Sequence, residues 1–156
     1  MASLRLIAID HAGAPASGAP PATAIAHEVC AATVAHYARS GYAPPWIGYL
    51  AAADAALVGV CSFKSAPRDG RAAIAYFTFP EFEGRGIATA MARALVAVAA
   101  AADAGVLVTA QTLPQANAST RVLEKIGFVL SGTAMDDEAG VVWEWELRRS
   151  LAVPPA

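Results

Sequence analysis

The stretch "YFTFPEFEGRGIATAMARAL", residues 76–95, changes its period halfway along. Its first part continues "RAAIA" (71–75) and is rich in aromatic residues, so it reads as a strand that Pro80 stops. From Ile87 onward, Ile87, Met91, Leu95 and Val98 recur every three or four residues, which predicts an amphipathic helix to about Ala104, ended by Gly105. Between strand and helix, Gly84 and Gly86 flank Arg85. Glycine reaches positive φ and carries no Cβ, so another group can approach the backbone closely. The free amides and dipole of a helix N-terminus favour an anion there. A tight turn and a phosphate cradle are both compatible with this geometry.

Working outward, "LRLIAI" (4–9) reads as a strand and "HAGAPASGAPPA" (11–22) as a loop. Ile25, Val29, Val34 and Tyr37 predict a helix capped by Thr23 and ending near Arg39. "WIGYLAA" and "LVGVCSF" flank "ADA" as a hairpin, and "SAPRDG" is a turn. Beyond the central stretch come a strand "VLVTAQTL" (106–113) and a helix "NASTRVLEKIG" with Gly127 just past its end. A last hairpin has "FVLSG" and "VVWEWEL" joined by "MDDEAG". Trp143, Trp145 and Leu147 fall on one face of its second strand, which makes the tryptophans core rather than an acceptor platform. The order is strand, helix, three strands, helix, strand, helix, two strands. The predicted fold is α/β (α+β), one mixed sheet of about seven strands with about three or four flanking helices.

Composition narrows the function. The 156 residues suit one domain able to bury a real core. With 56% hydrophobic and 15% charged residues, extended disorder is not expected. A net charge of −2 and the lack of a basic run argue against a nucleic-acid partner. The apolar runs are too short or interrupted for a signal peptide or membrane span, so a cytoplasmic protein is expected. Cys30 and Cys61 lie in apolar stretches without metal-site spacing and read as reduced core residues. No metal is expected.

Two phosphate loops fail. A P-loop needs Lys and then Ser or Thr after its last glycine, where Ile87 and Ala88 stand. A dinucleotide fingerprint needs a third glycine, where Thr89 stands, and an acid ending the next strand, which runs into Gln111 and Thr112. A third pattern fits. "EGRGIA" (83–88), followed by "AQTLPQANASTRVLEKIGF" (110–128), resembles the two core motifs of the GNAT superfamily of N-acetyltransferases, in its branch of ribosomal-protein N-terminal acetylators and small-molecule acetylators. Gly86 and Ala88 match the end of the family's Arg/Gln-x-x-Gly-x-Gly/Ala loop, while Glu83 replaces the usual Arg or Gln. The agreement in element order runs from Leu4 to Leu147, which suggests a domain over 4–149 and a short tail over 150–156.

The resemblance implies transfer of an acetyl group from acetyl-CoA to a primary amine, of a small molecule or a protein N-terminus. It implies that the strand ahead of the loop splays from the next one, so that a pantetheine arm pairs with its backbone along Phe77, Thr78 and Phe79. The pyrophosphate would meet Gly84, Arg85, Gly86, Ile87, Ala88 and Thr89. Thr78 or Phe79 would donate an amide to the thioester carbonyl, and Ser119 would assist the departing thiolate. Asn117 would contact the cofactor arm, or cap its helix instead. Relatives often carry a Glu as base where this chain has Ala72 and Ala73; His36, Tyr76, Glu144 and Glu146 are substitutes, as is an amine that arrives neutral. The acceptor pocket would be built from the first helix, "SGYAPPW" and the final hairpin. A catalytically weak acyl-CoA-binding module is the alternative, and oligomeric state is left open, a homodimer included.

Overall fold

The computed structural model describes residues 3–148. The end of the expected domain at residue 149 and the tail over 150–156 lie outside them. In chain order the elements are β1 (Leu4–Ala8), α1 (Ala24–Ser40), β2 (Gly48–Ala53), β3 (Ala56–Phe63), β4 (Arg71–Thr78), a 3-10 turn (Pro80–Phe82), α2 (Ile87–Ala102), β5 (Leu107–Thr112), α3 (Ala118–Ile126), β6 (Phe128–Asp136) and β7 (Gly140–Leu147). This is the order read from the sequence. The α2 helix ends two residues before Ala104, where the Asp103 amide donates to Ala99 O and its carboxylate accepts from Gly105 N.

One seven-stranded mixed sheet runs in the order β1-β2-β3-β4-β5-β7-β6. Its pairs are antiparallel except β4 with β5. That parallel pair is the crossover carrying α2. Alternation along β2 sends Leu50 and Ala52 to a cluster with Ala26 and Cys30 of α1, and Tyr49 and Ala51 to the cluster containing Met91 and Leu95 of α2. The sheet is thus covered on opposite faces by α1 and by α2. Tyr37, near the end of α1, ties helix to sheet: its hydroxyl donates to Ile9 O and accepts from Gly48 N.

Local signals act where the sequence puts them. Thr23 Oγ1 accepts from Ala26 N at the start of α1. Asn117 and Thr120 form a capping box at the start of α3, which Gly127 ends at φ 103°. Cys30 and Cys61 are free and buried, and burial pushes the Cys61 thiol up to about 12, so it stays protonated and inert. Trp145 is core, and its indole N–H donates to Thr112 Oγ1.

One glycine carries a constraint that periodicity did not reveal. A Cβ on Gly59 of β3 would lie 2.7 Å from Phe77 O and 3.0 Å from Met91 Sδ and Cε. The thioether can move; the carbonyl belongs to the β4 backbone. Gly59→Ala should therefore push β3 from β4 and cost about 1–3 kcal/mol, a fall of roughly 3–10 °C in melting temperature. An unchanged thermal denaturation curve would show that the strands yield freely there.

Candidate active site

β4 and β5 pair only from Arg71↔Leu107 to Ile74↔Ala110. Beyond Ile74, β4 continues beside β3 as far as Gly59↔Thr78, while β5 continues beside β7, on its other edge, as far as Thr112↔Trp143. The two parallel strands part, as the resemblance implied, and Ala75–Thr78 are left without a strand on one side. The Phe79 amide donates to Val58 O, on the β3 side. Neighbouring amides of a strand point to opposite edges, so the Thr78 N–H points into the gap.

The gap leads to the glycine loop. After the 3-10 turn, Gly84 takes φ 77°, and Gly86, the N-cap of α2, takes φ 77° and ψ 13°. This left-handed conformation is what the two glycines supply. Gly86 gives α2 no side-chain cap, and its first turn holds no acid. The amides of Ile87, Ala88 and Thr89 accordingly lack intrahelical partners. Glu83, Gly84, Arg85 and Gly86 are exposed, and the Arg85 guanidinium lies 5.5 Å from the Phe82 ring centroid. That stacking holds a cation beside the helix start.

Loop and gap form one cleft of about 450 Å³, lined by Tyr76, Phe77, Thr78, Glu83, Gly84, Gly86, Ile87, Ala88, Thr89, Ala118 and Ser119. Most of the residues expected to bind cofactor meet here, with Ser119. Arg85 borders the cleft through its neighbours; Phe79 turns its side chain into the core. Asn117 lies one residue outside the lining, and its side-chain oxygen accepts from Thr120 N. This is the capping role; the carboxamide nitrogen is not part of it.

Ser119 has a partner that sequence spacing could not reveal. Its hydroxyl donates to Tyr76 Oη at 3.4 Å, and Tyr76 donates in turn to Ser119 O at 3.3 Å. Burial pushes the Tyr76 phenol up, partly offset by the Ser119 bond, so it is protonated at neutral pH and suits a donor rather than a base.

The other expected bases separate. Glu146 is held by Arg71 at 2.8 Å and Glu144 receives Gln111 Nε2 at 3.5 Å. His36 is half-buried with Nε2 2.6 Å from Lys64 O. His36 lines a second pocket of about 300 Å³ between α1 and the sheet, with Val29, Thr33, Val60, Ser62 and Phe77. It also lines a polar groove reaching Lys64, Ala75 and Asp136 to Glu138 of the last hairpin. α1 thus lines both cavities, and the final hairpin lines the groove alone. Among the described residues no three His, Cys, Asp or Glu side chains gather as a metal site requires, and no helix is long and apolar enough to cross a membrane.

Comparison with known proteins agrees with this geometry. The family described as acetyltransferase (GNAT) domain matches residues 9–129. RimL, a ribosomal L7/L12 alpha-N-protein acetyltransferase solved with coenzyme A, superposes with a TM-score of 0.65 at 20% identity, over 92% of this chain and 93% of its own. AAC(6')-Ib, solved with parmomycin and acetyl-CoA, gives 0.57 at 22% identity over 66% and 64%. The microcin C7 self-immunity acetyltransferase MccE, solved with acetyl-CoA and AMP, gives 0.61 at 15% over 78% and 69%. At these identities the likeness is one of fold. Curated proteins yield no match. With the family matching most of the chain, over the parted strands, the glycine loop and the Ser119 helix, this protein belongs to the GNAT acetyltransferases.

Proposed function

We propose that the protein is an N-acetyltransferase that moves the acetyl group of acetyl-CoA to a primary amine. The observation that carries this is the single cleft in which the parted edge of β4 runs into an uncapped helix N-terminus. The cleft fits the cosubstrate in its parts. A free strand edge offers amides and carbonyls to the amide-bearing pantetheine arm. The loop, with two glycines at positive φ and no acid in the first turn of α2, suits the pyrophosphate. Arg85 adds a cation, and the backbone from Gly84 to Thr89 supplies the donors.

Each reacting atom then has a neighbour of the right kind. The Thr78 N–H, directed into the gap, polarises the thioester carbonyl as negative charge develops on oxygen. The Ser119–Tyr76 pair holds a proton beside the same cleft and stabilises the thiolate as it leaves. Asn117 is given two tasks on different atoms: its oxygen caps α3, and its nitrogen is left to meet the cofactor arm. The acceptor would approach from the α1 face. This reading, in a cytoplasmic enzyme, differs from a binding module by turnover.

Three measurements follow. A ligand that binds only the folded state, at 100 times its Kd, adds about 2.7 kcal/mol; for a domain of this size that is roughly 5–10 °C. Acetyl-CoA should give such a shift and NAD and ATP none; the opposite pattern would sink the assignment. Gly86→Val places a β-branched residue at φ 77° in the loop and should weaken acetyl-CoA at least about tenfold in calorimetry while the fold persists. Equal affinity in a folded variant would move the pyrophosphate elsewhere. Tyr76→Phe and Ser119→Ala should each lower kcat by about 10- to 100-fold with acetyl-CoA affinity retained. Full turnover in both would reduce the pair to a packing contact.

A further inference from the structure

The residues of β4 that leave β5 are walls of two cavities at once. From the side of α2 and α3, Tyr76, Phe77 and Thr78 line the loop cleft. From the side of α1, Phe77 lines the 300 Å³ pocket and Ala75 the polar groove. His36 lines both of the α1-side cavities. Its Nε2 lies 2.6 Å from Lys64 O, and a carbonyl oxygen only accepts, so that nitrogen carries the hydrogen. In the neutral ring the other nitrogen, Nδ1, is then a proton acceptor with a fixed orientation. Tyr76 is a donor and Glu146 is ion-paired, so neither offers this. Lys64 Nζ reaches Gln111, which in turn meets Glu144, so that carboxylate belongs to a hydrogen-bonded row across the sheet.

We propose that His36 is the base of the reaction, its Nδ1 taking a proton from an acceptor amine whose compact apolar body sits in the pocket between α1 and β3–β4. The proposal rests on the acetyltransferase reading above. The pocket names the acceptor class: its lining near the shared strand is Val29, Val60 and Phe77, while charged residues enter only in the groove beyond. A polycation would have to desolvate its charges against that apolar wall. The protons balance. Of the three on the ammonium, one passes to His36 Nδ1 before attack and is released to solvent later. A second leaves nitrogen as the C–N bond forms and the C–S bond breaks, and ends on the thiolate through the Ser119–Tyr76 side. The third stays on the amide.

The test uses His36→Gln, whose side-chain amide can still donate to Lys64 O but has no basic nitrogen. With 2-phenylethylamine as acceptor, kcat/KM should fall about 100-fold, with acetyl-CoA affinity and melting temperature near wild type. Adding free imidazole to His36→Ala should restore part of the rate, which a purely structural histidine would not permit. Undiminished turnover by His36→Gln, or no response of His36→Ala to imidazole, overturns the assignment. Wild-type protein that acetylates spermidine but not 2-phenylethylamine, or neither, overturns the acceptor class. Calorimetry with acetyl-CoA on the same sample separates the outcomes: binding without this turnover rejects the proposed acceptor and with it the role of His36 as its base, and absent binding rejects the acetyltransferase reading itself.

Discussion

The loss of pairing between β4 and β5 after Ile74↔Ala110 is the constraint on which the rest of the site depends. A parallel pair inside a sheet is normally satisfied on both edges and buried on both faces. Here β4 has β5 beside it from Arg71 to Ile74 and β3 beside it from Ile74 to Thr78, so only Ile74 has a ladder partner on both sides. The strand survives because β3 still holds its other edge as far as Thr78. Pro80 then prevents any continuation of the ladder, and the chain turns through Pro80–Phe82 into the glycine loop. One edge of unpaired backbone is thus delivered to one uncapped helix start.

Packing keeps the strands in that arrangement. Met91 of α2 sits over Gly59, where an added methyl group would meet the Met91 thioether at 3.0 Å and the Phe77 carbonyl of β4 at 2.7 Å. Leu95 and Met91 are fully buried, so the helix that opens at the loop is anchored by its middle against the sheet that bears the gap. The exposed loop lies between buried Phe79 and buried Ile87, and its left-handed turns are at glycines.

What the sequence disclosed and what it withheld divide along a physical line. Thr23, Asn117 and Gly127 act on backbone groups a few residues away, and so their roles as caps could be read from neighbouring letters. The same is true of the glycine junction and of the Trp143–Trp145–Leu147 face. The parting of β4 from β5 came only through likeness to a family, because no periodicity of a single chain encodes which strands will separate. Ser119 with Tyr76, 43 residues apart, and His36 with Lys64, 28 apart, are meetings made by tertiary folding. Gly59 looked like any strand glycine until Met91 and Phe77 were in place. Asn117 had two readings because capping and ligand contact use different atoms of one amide.

Phe77 is half-exposed and faces both cavities, so the wall between them is one side chain and one strand thick. A group paired with the free edge of β4 would restrain the border of both cavities at once. A single strand thus borders a pocket on one face of the sheet and a cleft on the other, so a change in β4 reshapes both.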